Sequence, residues 1–110
     1  MKLYLDTSSP TTTLKLDEFT YEWQSNRDLA KHLLKFIHDK LSEHSKDWHD
    51  LTELHFFTGP GSFTGLRIGA TIINTLASEL QIPIFDQNNK SLELALPQYG
   101  RPANITRPKK

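Results

Sequence analysis

The sequence predicts an α/β domain built on one mixed, five-stranded sheet. Three observations lead there. Short β-branched and aromatic runs alternate with turn residues at the start of the chain, two long stretches carry apolar residues at helical spacing, and each of those stretches is followed by a short apolar run. The resulting order is β-β-β-α-β-α-β, in which strands separated by helices belong to parallel pairs.

Taken in order, Leu3, Tyr4 and Leu5 form a short apolar strand that ends on Asp6 and enters a turn of Thr7, Ser8, Ser9 and Pro10. Residues 12–16 alternate with β-branched side chains and residues 19–23 alternate aromatic with polar ones, the period of two expected of strands. Asp17 and Glu18 between them are short enough for a hairpin turn, although the usual glycine is missing. Ser25, followed three residues later by Asp28, is a variant capping box. From Leu29, the residues Ala30, Leu33, Leu34, Phe36, Ile37 and Leu41 cover roughly 160° of a helix, which fades in the polar residues 44–49.

Residues 54–57 read as a buried strand running into Thr58, Gly59, Pro60 and Gly61. Ser62 is placed to cap a second helix that reaches Leu80, and Pro83 stops it. Ile84 and Phe85 make a short fifth strand, and residues 91–96 are expected to add one or two helical turns. With strands ordered 3-2-1-4-5, only the second is antiparallel to the rest. Right-handed crossovers then put both helices on one face. This is a ribonuclease-H-like topology. Residues 1–99 are expected to form the lobe. Residues 100–110 have two prolines, four positive charges and no acid, and are expected to be a disordered tail.

Composition narrows the function classes. Among 110 residues, 13 basic and 13 acidic side chains cancel, which argues against a chain whose business is coating nucleic acid. There is no cysteine, so disulfides, thiolate zinc sites, iron–sulfur ligation and thiol nucleophiles are excluded. The opening Met-Lys-Leu-Tyr-Leu-Asp falls short of a signal-peptide core, and no window approaches the ~20 apolar residues of a membrane span. The expected address is cytoplasmic, with no membrane contact.

The turn from Gly59 to Gly65 is the strongest local signal, because N–H groups at a helix start attract anions. It lacks the Gly-Lys-Ser/Thr of a P-loop, since Leu66 and Arg67 follow Gly65, and three residues rather than two separate Gly61 from Gly65. Two readings stand side by side: a tight strand-to-helix turn, and a weak phosphate or nucleotide contact made by Asp6, Thr7, Ser8, Gly61 and Ser62. Asp6 itself either bonds N–H groups of its own turn or touches a nucleotide or cation. A lone Asp cannot hold the two metals of a nuclease. His32, His38, His44, His49 and His55 are spaced by five or six residues without an i, i+4 pair, so no metal site is expected.

On the second helix Leu66, Ala70, Ile73, Ala77 and Leu80 lie near one line, with Gly69, Leu76, Ile72 and Ile68 beside them. The apolar arc reaches about 200°, twice the ~100° stripe needed to sit on a sheet. Gly65 and Gly69 each cost about 1 kcal/mol in a helix interior, so a neighbouring backbone is expected to approach closely. That neighbour is either the first helix or another protein. The second reading places a partner surface on both helices, made of Leu34, Leu41, Gly65, Ile68, Gly69, Ile72 and Leu76, with the two glycines at its centre.

The block Gly59-Pro-Gly-Ser-Phe-Thr-Gly-Leu-Arg-Ile-Gly69 resembles the signature of the bacterial TsaB family, formerly YeaZ, of tRNA threonylcarbamoyladenosine biosynthesis proteins. Asp6-Thr7-Ser8, Ile82-Pro83-Ile84 and Ser91-Leu92-Glu93 resemble its other segments, so that the likeness runs to about Leu96. The resemblance implies an actin/hexokinase-like architecture of two ribonuclease-H-like lobes, of which this chain matches the first. The family often carries His-Ser or His-Thr where this chain has Leu29-Ala30, and Gln87 to Lys90 lengthen the segment before Ser91.

The family role so implied is that of a non-catalytic partner, without a cofactor, of the TsaD threonylcarbamoyl transferase. The two helices would pack on equivalent helices of TsaD, or on a second copy to give a homodimer when TsaD is absent. A TsaE-like ATPase is a further implied partner, and tRNA is met only indirectly. The His-x-x-x-His metal pair of TsaD has no counterpart in residues 86–93. The alternative is a small nucleotide- or phosphate-binding module or enzyme of the actin/hexokinase-like class, acting through Asp6 to Ser8 and Gly59 to Gly65. A third reading takes the sequence as a fragment of a longer product.

Overall fold

The computed structural model describes residues 1–97. Its elements are β1 (Lys2–Asp6), β2 (Thr11–Leu16), β3 (Phe19–Gln24), α1 (Leu29–Glu43), β4 (Glu53–Phe56), α2 (Phe63–Leu80), β5 (Ile84–Phe85) and β6 (Ser91–Leu92). All six strands share one sheet in the order β3-β2-β1-β4-β5-β6. β1 and β5 run parallel to β4 between them, and the β1–β2, β2–β3 and β5–β6 pairs are antiparallel. The anticipated order 3-2-1-4-5 is present, with a sixth strand added at the edge.

That sixth strand corrects the expectation of helical turns over residues 91–96. Asp86 starts a tight reversal: its Oδ1 accepts the N–H groups of Asn88 at 2.8 Å and Lys90 at 2.9 Å. Asn89 takes the left-handed φ of 64° that such a turn requires and asparagine tolerates. The chain thus returns alongside β5, with Leu92 opposite Ile84. The proposed tail, residues 100–110, lies outside the described residues.

Alternation decides which face is buried. Leu3 and Leu5 on β1, Leu14 and Leu16 on β2, Leu54 and Phe56 on β4 and Ile84 on β5 point to one side and are at most 3% exposed. Both helices contribute to the same core: Leu29, Leu33, Ile37 and Leu41 from α1, and Leu66, Ala70, Ile73 and Leu76 from α2. Tyr21 and Trp23 of β3 extend this face, and the Trp23 ring stacks on Phe36 of α1 at 4.9 Å. Each fully buried leucine of this set contributes about 1.5–3 kcal/mol. The opposite face carries Lys2, Tyr4, Lys15, Glu53 and His55.

The termini show local chemistry at work. Asp17 supplies the positive φ of the β2–β3 turn in place of glycine, at 53°. It locks the turn to β1 by accepting the Lys2 N–H at 2.8 Å and donating its own N–H to the Lys2 carbonyl at 2.9 Å. Ser25 does not cap α1. Its hydroxyl is buried against that of Thr12 at 2.7 Å, and a 3-10 turn at Asn26–Asp28 intervenes before the helix. Ser62 does cap α2, accepting the Gly65 N–H at 3.2 Å. Gln81, left-handed at φ 56°, ends it.

Candidate partner interface on the two helices

The loop after β1 and the loop after β4 meet at the start of α2, and they satisfy each other. Ser8 donates both its N–H and its hydroxyl to Asp6 Oδ1, at 2.9 and 2.6 Å. This is the local, turn-bonding role of Asp6. The Thr7 side chain is fully buried, and its hydroxyl donates to the Gly65 carbonyl at 2.7 Å. The Ser62 N–H donates to the Ser8 carbonyl at 2.7 Å. Gly61 packs so closely on Ser8 that a Cβ there would overlap its backbone. From the loop after β5, Gln87 Oε1 accepts the N–H and hydroxyl of Thr58 at 3.1 and 3.2 Å. The five residues of the phosphate reading therefore do come together, with these polar groups turned towards one another.

The same geometry corrects the position of the two helix glycines. Gly65 and Gly69 are buried against the sheet, not on the outer flank of α2. A Cβ on Gly65 would overlap the Thr7 carbonyl oxygen. One on Gly69 would overlap the Thr7 hydroxyl and stand 3.0 Å from the Phe56 ring. The close neighbour is the end of β1, neither the first helix nor a partner. Leu41 is likewise fully buried and Leu76 is only 7% exposed. Both belong to the core. Of the seven residues expected to form the partner surface, Leu34, Ile68 and Ile72 reach solvent.

Along the seam between the two helices lie two separate hollows, one at each end. Towards their carboxyl ends lies a groove of about 570 Å³ lined by Leu34, His38, Trp48, Leu76 and Leu80, with Lys35, His49 and Glu79 at its rim. Leu34 is 46% exposed there. The Trp48 and His38 rings that line it lie 5.8 Å apart. At the amino ends a second hollow of about 430 Å³ includes Leu29, Ile68, Arg27, Ser25 and Thr64. Phe63 beside it is 57% exposed, with the Arg67 guanidinium 5.5 Å from its ring. Lys35 bonds Asp39 one turn along α1 at 2.9 Å, and this bond holds the exposed Asp39 carboxyl below its usual range.

Sequence reasoning missed Trp48 and Leu80 as lining residues. Trp48 stands out as the large apolar side chain within a polar stretch, and Leu80 continues the α2 arc. Among the described residues, no group of three or more His, Asp or Glu side chains is placed to hold a metal ion. None of their helices is long and apolar enough to cross a membrane.

Residues 23–90, more than half of the chain, match the family model described as "TsaD: tRNA N6-adenosine threonylcarbamoyltransferase". The chain belongs to that family. Within it, the relatives carry the TsaB and YeaZ names that the Gly59 to Gly69 block implied. The tRNA threonylcarbamoyladenosine biosynthesis protein TsaB of Buchnera aphidicola is 40% identical over 53 residues, 48% of this chain and 24% of that protein. TsaB of Haemophilus influenzae is 31% identical over 91 residues, 79% of this chain and 39% of that protein. The solved structure of YeaZ from Pseudomonas aeruginosa superposes with a TM-score of 0.69 at 30% identity, over 77% of this chain and 42% of that one. The chain thus spans less than half the length of the TsaB and YeaZ proteins it matches, and its lobe has the ribonuclease-H-like fold of that family.

Proposed function

We propose that this chain is a non-catalytic, TsaB-like partner of a TsaD-type threonylcarbamoyl transferase in making threonylcarbamoyladenosine in tRNA, acting in the cytoplasm. The observation that carries this reading is the apolar groove between α1 and α2, lined by Trp48, Leu80 and a Leu34 that is nearly half exposed. Burying such a seam contributes about 25 cal/mol per Å² of apolar surface removed from water. A ridge of side chains from a facing helix fits a groove of this kind. Net charge is zero, so association rests on shape and apolar contact more than on electrostatic steering.

The other end of the lobe supports the scaffold reading. Asp6, Thr7, Ser8 and Ser62 hold the loops together through the bonds described above, which is a structural task. Without the transferase, a second copy is the occupant the same seam fits, giving a homodimer. A TsaE-like ATPase and the tRNA meet this chain through the assembled complex. Co-expression with the TsaD-type transferase of the same organism, followed by size-exclusion chromatography, tests the reading. Co-elution of the two chains is expected. Separate elution of two folded proteins would overturn it.

A further inference from the structure

The two edges of the sheet are finished differently. β6 at one edge is only two residues long. β3 at the other runs for six residues, Phe19 to Gln24, in unbroken register with β2. Edge strands are ordinarily blunted by shortness, a bulge, lysine or proline, because their outward N–H and carbonyl groups can pair with another strand. β3 has none of these. Just past it, the Ser25 N–H donates to the Pro10 carbonyl on the β2 side, and backbone groups alternate in direction along a strand. Tyr21 and Trp23 therefore bond towards β2, while the backbone groups of Thr20, Glu22 and Gln24 point outwards. Side chains alternate as well. Phe19, Tyr21 and Trp23 line the helix side, where Phe19 is 44% exposed. Tyr21 is held there by its hydroxyl on His44 and by the Lys40 ammonium 4.9 Å from its ring.

We propose that the outer edge of β3 pairs antiparallel with β3 of a second copy of this chain, about a two-fold axis at Tyr21. The occupant follows from the self-complementarity of the edge. An axis at Glu22 would set Glu22 opposite Glu22, and an axis at Thr20 would set it opposite Glu18. Like charges directly opposite one another destabilise a sheet. An axis at Trp23 would leave Phe19 facing no strand residue. With the axis at Tyr21, Glu22 meets Thr20, and no two charges of one sign face each other. Thr20 of one copy and Glu22 of the other then exchange N–H···O bonds, in both symmetry-related pairs. On the helix side, Phe19 of one copy lies opposite Trp23 of the other, and the two Tyr21 rings meet at the axis. Aromatic cross-strand pairs are among those that stabilise a sheet. The contact is isologous, covers the exposed Phe19 ring and joins the two sheets edge to edge. It leaves the α1–α2 seam free, so it does not rest on the function proposed for that seam.

Sedimentation velocity on the full chain over a range of concentrations tests it. The Leu34→Asp/Ile72→Asp variant, in which pairing through the seam is disabled, is expected still to form a dimer. Adding Thr20→Pro removes an outward N–H that the monomer does not use, a position where an edge strand accepts proline. The circular dichroism spectrum is then expected to stay unchanged while self-affinity falls about 30-fold, one bond being lost in each symmetric pair. Adding Thr20→Lys instead is expected to tighten self-association about 5-fold, because the lysine faces Glu22 of the other copy. A Leu34→Asp/Ile72→Asp chain that stays monomeric at every concentration would overturn the proposal and leave the seam reading standing. Undiminished self-affinity with Thr20→Pro would overturn it too. So would unfolding of that variant, because the Thr20 N–H would then be turned towards β2. Self-association left unchanged or weakened by Thr20→Lys would overturn the axis at Tyr21.

Discussion

At the scale of single residues, Thr7 is the pivot between the sheet and α2. Its hydroxyl reaches the Gly65 carbonyl, and both its backbone and its side chain occupy the space that Cβ atoms on Gly65 and Gly69 would need. Glycine therefore costs α2 helix propensity in return for a contact that no other residue permits. Gly65→Ala is expected to destabilise the lobe by roughly 1–3 kcal/mol through overpacking. Because the clash is with backbone oxygen, side-chain rearrangement offers little relief. A denaturation midpoint lowered by several degrees checks this, and an unchanged midpoint would contradict it. Tyr4 gives a second expectation. Partial burial, and then the Asp6 carboxylate, hold its hydroxyl above the ordinary tyrosine range. The unfolded chain ionises first, at about pH 10. The stability this residue contributes is thus present below that pH and is lost as pH rises through the folded value. Tyr4→Phe is expected to show a smaller loss of stability than the unaltered chain between neutral pH and strongly alkaline pH, by urea denaturation. Identical pH profiles would contradict the assignment.

At the scale of elements, periodicity and caps made most of the architecture legible in advance. The four-residue spacing of Leu29, Leu33, Ile37 and Leu41 placed the buried stripe of α1. Ser62, Leu80 and Pro83 bounded α2. Ser62→Ala is expected to cost about 1 kcal/mol by leaving the Gly65 N–H without its acceptor, measurable as a shift in urea midpoint at unchanged slope. What sequence could not reveal was long-range. Ser25 resembled a cap, but its hydroxyl is claimed by Thr12, which sits on β2. The stretch beginning at Ser91 looked helical because strand pairing over two residues leaves no periodic trace. The reversal that makes it depends on the side-chain oxygen of Asp86. The wide apolar arc of α2 was visible, but an arc does not say which part meets its own sheet. Thr7 answers that, and it turns Gly65, Gly69 and Leu76 inwards while Ile68 and Ile72 reach solvent.

At the scale of the whole molecule, one layer of helices covers one face of the sheet, and the seam between those helices is the surface proposed for a partner. The core residues beneath it fix the spacing of α1 and α2, while Trp48 and His49 from the connection between α1 and β4 complete the groove at the carboxyl ends. Interface energy concentrates in a few central apolar side chains. Leu34, 46% exposed in the groove, meets that description, and Ile72 on α2 is half-buried, packed against the core rather than within it. Lys15, exposed on the opposite sheet face, serves as the control. Titration calorimetry of the TsaD-type transferase with the unaltered chain, with Leu34→Asp/Ile72→Asp and with Lys15→Ala tests whether this seam is the partner surface. The double variant is expected to keep its circular dichroism spectrum and to lose about 100-fold or more in affinity, while Lys15→Ala binds as the unaltered chain does. A folded double variant that binds with unchanged affinity would contradict it.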